Sequence, residues 1–144
     1  MNVIRRSRAA KRRKAAATVE FAICLPVLIT LTLGTMDLCN VIFLRETATL
    51  AAYEGARRGV GRGRTNEDVT ARIVDFLNDR NIQFDTAQVV TFSSPNFTDA
   101  PTLENVTTTV SLPYAGNTII PTQLFGDLTV RASVTLRKEY QNLN

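Results

Sequence analysis

The sequence contains no histidine, and its two cysteines, Cys24 and Cys39, both fall in or just after one apolar stretch. Without histidine a His-based catalytic triad is excluded, and a metal site would have to be built from oxygen ligands alone. Fifteen helical residues place Cys24 and Cys39 ~22 Å apart, too far for a bridge within one chain. Residues 61–144 hold no cysteine at all, so disulfides do not stabilise that part of the molecule. Asp75, Asp79 and Asp85 read as ordinary solvated acids, and no acidic pair there suggests catalysis. An enzyme is not expected, and no cofactor is implied.

Acids are missing from residues 1–14, which carry Arg5, Arg6, Arg8, Lys11, Arg12, Arg13 and Lys14. The net charge of +4 therefore belongs to this segment: the other 130 residues hold ten basic against thirteen acidic side chains, a balance of −3. Such a cluster could bind nucleic-acid phosphates, but no basic patch with interleaved aromatics supports that elsewhere. Nucleic acid is not expected as a partner. A basic flank followed closely by an apolar run instead orients a membrane helix, with its positive end in the cytoplasm.

Charge is then absent for sixteen residues, Phe21–Met36. As a helix this run spans ~24 Å, and extension to Leu44 gives ~36 Å. A hydrocarbon core of ~30 Å is thus crossed somewhere between Asp37 and Leu44, with Asp37 and Asn40 near the far interface. Pro26 and Gly34 are tolerated in such a helix. A cleaved secretory signal would need a small-x-small site after the run, and Gly34-Thr35-Met36-Asp37-Leu38 is a poor one. Neither cysteine has a lipoprotein-type setting, and Arg12-Arg13 is a weak twin-arginine match. Glu20 stands at the near edge of the run, where an ionisable group is costly without a partner.

After Leu44, Ala48, Ala51, Ala52, Gly55, Ala56 and Gly59 recur at helical spacing and form a stripe of small side chains. It would let a helix approach either its own domain or a neighbouring subunit closely. Glu54 precedes Arg57 and Arg58 by three and four residues, a spacing for surface ion pairs. Gly59, Gly61 and Gly63 end the stem in a mobile loop; their spacing fits neither common phosphate-binding pattern.

Thr65 or Asn66 caps a second helix through about Arg80, with Glu67 and Asp68 in its first turn and Val69, Ile73, Phe76 and Leu77 on its apolar face. Strands are predicted at 89–92, at Val106–Leu112 and at Leu128–Leu136, where apolar residues alternate with Thr, Ser and Arg. Gly126-Asp127 suits a turn into the last. Residues 93–105 read as an exposed loop, and Pro113 and Pro121 bound a second one containing Ile119, Ile120, Leu124 and Phe125. The fold class is α+β: a long N-terminal membrane and stem helix, then a small domain with a second helix and an antiparallel sheet of three or four strands. The expected organisation is a basic cytoplasmic leader (1–15), a transmembrane helix and stem (16–60), and an extracytoplasmic domain (61–144).

Val19-Glu20-Phe21-Ala22, followed by Leu25-Pro26, resembles the start of TadE-like proteins, pseudopilins of the bacterial tight-adherence (Flp) pilus system. Ala52-Tyr53-Glu54-Gly55-Ala56-Arg57 and the ending Arg131–Glu139 resemble that family as well. The resemblance implies a cut by a prepilin-type peptidase between Ala15 and Ala16, which makes Glu20 the fifth mature residue. The family usually has Gly before the cut, where this chain has Ala15. It also implies other pilins or pseudopilins as partners, in the cytoplasmic (inner) membrane, with Glu20 pairing the new α-amino group of another subunit. Alternatively Glu20 lies at headgroup level beside Lys14 or lipid, and the chain is a solitary membrane-tethered binding module using loops 93–105 and 113–126.

Overall fold

The computed structural model describes residues 3–118 and 128–140, with side chains described from residue 16 onward. Helix α1 runs Val3–Gly59, α2 Asn66–Asn78, and three strands follow: β1 Val90–Phe92, β2 Asn105–Pro113 and β3 Thr129–Arg137. Two compact units divide the chain, Met1–Leu38 and Cys39–Asn144, so the stem half of α1 belongs to the second.

In that second unit the stem buries one face only. Leu44, Ala48, Ala51, Ala52, Gly55, Ala56 and Gly59 are all buried there. Helix α2 comes close because two positions lack a side chain. A Cβ at Gly55 would stand 2.6 Å from Ile73 Cδ1, and one at Gly59 would stand 2.7 Å from Val69 Cγ2. The small-residue stripe therefore packs against its own domain. Glu54 differs from expectation: its carboxylate pairs with Arg72 of α2 at 3.3 Å instead of the arginines that follow it. The approach of the two helices brings Arg72 within reach, and sequence spacing alone could not show it.

Thr65 is the cap of α2. Its hydroxyl accepts from Asp68 N–H at 3.4 Å, and the Asp68 carboxylate accepts from Thr65 N–H at 3.0 Å, so two orphan donors of the first turn are satisfied together. Val69, Ile73, Phe76 and Leu77 form the buried face, as their spacing predicts. Each contributes about 1.5–3 kcal/mol when fully buried.

The sheet is antiparallel in the order β1-β2-β3, with Val90 opposite Val110 and Val110 opposite Ala132. Alternation decides which face is inside: Val106, Thr108, Val110, Leu112, Val130 and Ala132 are buried. On the outer face hydroxyls pair across the strands, Thr107 with Thr135 at 2.7 Å and Thr109 with Ser133 at 2.8 Å. Three strands are present among the described residues. Ile119, Ile120, Pro121, Leu124, Phe125 and the Gly126-Asp127 turn lie outside them.

The 93–105 segment is not simply an exposed loop. Phe97 and Ala100 are buried, and the Phe97 ring meets Phe92 edge-on with centroids 6.0 Å apart. Phe97 N–H donates to the Asn66 side chain at the start of α2, at 3.0 Å. One aromatic among polar neighbours is enough to pin the segment into the core. A second tie is Asn117, whose side chain accepts from Gln83 N–H at 2.7 Å and donates to Gln83 O and Pro113 O at 2.7 and 2.8 Å. The Asn40 side chain donates to Asn117 O at 3.0 Å, joining the stem to the same node.

Candidate functional site

From Val19 to Met36 the first half of α1 exposes apolar side chains all round: Phe21, Ile23, Val27 and Leu31 are each at least 60% exposed. A helix without a polar face must be covered by lipid or by other apolar protein. Its hydroxyls are already satisfied. Thr30, Thr32 and Thr35 each donate at 2.8 Å to the carbonyl four residues earlier, of Pro26, Leu28 and Leu31. That arrangement leaves no side-chain hydroxyl needing water in hydrocarbon. Ala16–Gly59 is long and apolar enough to cross a membrane, with a mean hydropathy of 2.0 over its most apolar window.

Glu20 is exposed on this helix. It is the one charged residue between Lys14 and Asp37, and it makes no hydrogen bond or ion pair among the described residues. Ala16 lies one turn before it and is exposed; Ala15 is on the same helix. The structure thus presents Glu20 outward, with both of its carboxylate oxygens available to a partner. Ala48, Ala52, Gly55, Ala56 and Gly59 form a separate group, packed inside the second unit.

The stem ends on a residue that sequence reasoning missed. Lys138 is 0% exposed, and its ammonium donates to Gly59 O at 2.9 Å, Phe97 O at 3.0 Å and Arg64 O at 3.4 Å. Three donors meet three carbonyls, so the ammonium is fully used. Gly59 is the last residue of α1, whose final carbonyls lack helical partners and carry the negative end of the helix dipole. Burial pushes the Lys138 pKa below the ordinary lysine value. The main chain strengthens the junction: Lys138 N–H donates to Glu104 O and Leu103 N–H to Lys138 O, both at 2.8 Å, and Glu139 N–H to Val60 O at 3.3 Å. The glycine loop expected to be mobile is thereby held at both sides. A signal for this existed: Lys138 continues the even-numbered series Val130, Ala132, Val134 and Leu136 that points inward.

Among the described residues, no group of three or more His, Cys, Asp or Glu side chains is placed to hold a metal. Neither a curated protein nor a solved structure matches this chain. The family comparison does give a match, starting at Ala15, taking in Glu20 and the apolar run, and stopping two residues short of Gly59. The C-terminal stretch 131–139 lies outside it. Residues 15–57, the apolar run and most of the stem, match the model of the TadE-like protein family.

Proposed function

We propose that this chain is a non-catalytic, pseudopilin-like membrane protein that supports assembly of a tight-adherence (Flp) type pilus. The observation that carries the reading is Glu20, a single outward acid with no partner among the described residues, at the edge of an apolar helix within the TadE-like segment. The basic segment stays in the cytoplasm of a cell whose inner membrane the helix crosses once, and the sheet domain lies outside. A prepilin-type peptidase cuts between Ala15 and Ala16. The cut removes all seven basic residues of the leader and leaves a cationic α-amino group four residues before Glu20. An ammonium and a carboxylate are each costly in lipid, and pairing Glu20 of one subunit with the amine of another pilin or pseudopilin offsets both costs.

The test is the intact mass of the membrane-extracted protein from cells with an active peptidase. A chain beginning at Ala16 supports the reading, and Glu20→Gln should then reduce recovery of the protein in pilus complexes without preventing the cut. A chain retaining Lys11–Lys14 refutes it and leaves a tethered binding module.

A further inference from the structure

Asn40 stands where α1 has risen far enough to cross a bilayer. From Glu20 to Asn40 the helix climbs ~30 Å, which matches the thickness of a hydrocarbon core. An amide at that depth is costly unless it has a partner. Asn40 finds one in the sheet domain, where its side chain donates to Asn117 O at 3.0 Å. Asn40 is the second residue of the Cys39–Asn144 unit, so chain continuity brings whatever is bonded to it to the same depth.

What is bonded to it is a turn held from several sides. Asn117 N–H donates to Tyr114 O at 3.0 Å, and the Tyr114 hydroxyl donates to Thr118 Oγ1 at 3.3 Å. The Asn117 side chain is shared between Gln83 and Pro113. Gly116 takes φ +84°, and a Cβ there would run into the Gln83 side-chain amide, so the turn lies close against residues 81–84. The surface so formed is uncharged: residues 81–84 and 114–118 hold no Asp, Glu, Lys or Arg, with Arg80 and Asp85 flanking the first segment. Gln83, Ala115 and Gly116 are exposed on it. Neither the Gln83 side chain nor the N–H groups of Ala115 and Gly116 hydrogen-bond to any described residue.

We infer that this rim, Gln83 with the Tyr114–Thr118 turn, rests in the phospholipid headgroup layer on the far side of the membrane. Headgroups offer phosphate and ester oxygens as acceptors to the donors left open at Gln83, Ala115 and Gly116. An uncharged rim enters that layer without stripping water from an ion. The sheet domain is thereby seated directly on the bilayer, at the membrane end of its stem and with no spacer between. The inference rests on the membrane reading of α1; it needs neither leader cleavage nor pilus assembly.

The experiment uses the full-length chain in vesicles of phosphatidylethanolamine and phosphatidylglycerol, in a Cys24→Ser/Cys39→Ser background with one new cysteine carrying a fluorophore. Lipids spin-labelled in the headgroup or deep in the acyl chain serve as quenchers. Labels at Ala115→Cys and Gln83→Cys should lose most of their emission to the headgroup quencher and little to the chain quencher. Val27→Cys should show the reverse, and Arg62→Cys, exposed in the loop beyond Gly59, should respond to neither. Untouched emission at 115 and 83 while 27 is quenched would hold the domain away from lipid and overturn the inference. Stronger loss to the chain quencher at 115 would do so too, by burying the rim in hydrocarbon. Equal loss at 62 would lay the whole stem along the surface, with the same consequence. No quenching at 27 would refute the membrane reading and the seat with it, a result distinct from the other three.

Discussion

Replacing Lys138 by methionine keeps most of the aliphatic stem and deletes the ammonium. Three carbonyls then lose their donor, and the bonds to Gly59 O and Phe97 O are buried. A buried acceptor left unsatisfied costs about 1–3 kcal/mol, which makes about 2–6 kcal/mol for these two. Part is recovered, because a buried ammonium no longer has to be stripped of water, the same burial that lowers its pKa. The net loss should be about 3 kcal/mol. For a unit of ~100 residues that corresponds to a fall in Tm of about 12–15 °C. The assay is thermal unfolding of detergent-solubilised full chain followed by near-UV circular dichroism, which reports the domain's aromatic packing instead of the N-terminal apolar helix. Lys138→Arg should also be destabilised, because a planar fork does not fit three converging carbonyls. If Lys138→Met melts within about 2 °C of wild type, the ammonium does not hold the junction and the reasoning is wrong.

Thr108 presents to the inner face of β2 a buried hydroxyl with no hydrogen-bond partner among the described residues, so Thr108→Val should stabilise the domain by about 1 kcal/mol in denaturant titration. No gain would mean the hydroxyl is satisfied after all. Asn117→Ala removes three side-chain hydrogen bonds, two to Gln83 in the segment after α2 and one to Pro113 at the end of β2, and should cost about 2 kcal/mol by the same titration. The bond from Thr65 N–H, helped by Arg64 and opposed by desolvation, holds the Asp68 carboxyl below its ordinary pKa. Its stabilisation is therefore complete above the unfolded value and disappears as pH falls through the lower folded value. Wild type and Asp68→Asn should differ in Tm at neutral pH and converge once pH has fallen below the lowered folded value. A gap that stays constant across that window would assign the effect to something other than the carboxylate's charge.

Local rules made much of the fold legible. The Thr65–Asp68 box, the Val69-Ile73-Phe76-Leu77 face and the alternation in β2 and β3 depend on neighbours in sequence, and each stands where its pattern places it. Glu20 stood out for the same reason, as a lone charge beside an uncharged run. What sequence did not reveal depends on distant partners. Arg72 reaches Glu54 only because glycines let α2 approach α1, and Phe97 looked like one ring in a polar loop until Asn66 and Lys138 fixed it there. Lys138 was hidden by its neighbours, since Arg137-Lys138-Glu139 reads as a solvated charged end although the parity of β3 turns the lysine inward. Assembly at Glu20 is illegible for a further reason: the amine proposed to meet it would come from another subunit.

The Lys138 junction also has a mechanical meaning. A pull along the stem reaches Gly59, beyond which the covalent path runs through Val60, Gly61, Arg62 and Gly63, a compliant stretch that would extend before loading the domain. The ammonium shared by Gly59, Arg64 and Phe97 bypasses it. Tension at the helix end passes through that shunt to the end of β3, whose nine-residue register with β2 then bears it in shear across the ladder. The glycines stay slack, and the sheet becomes the part that takes the strain.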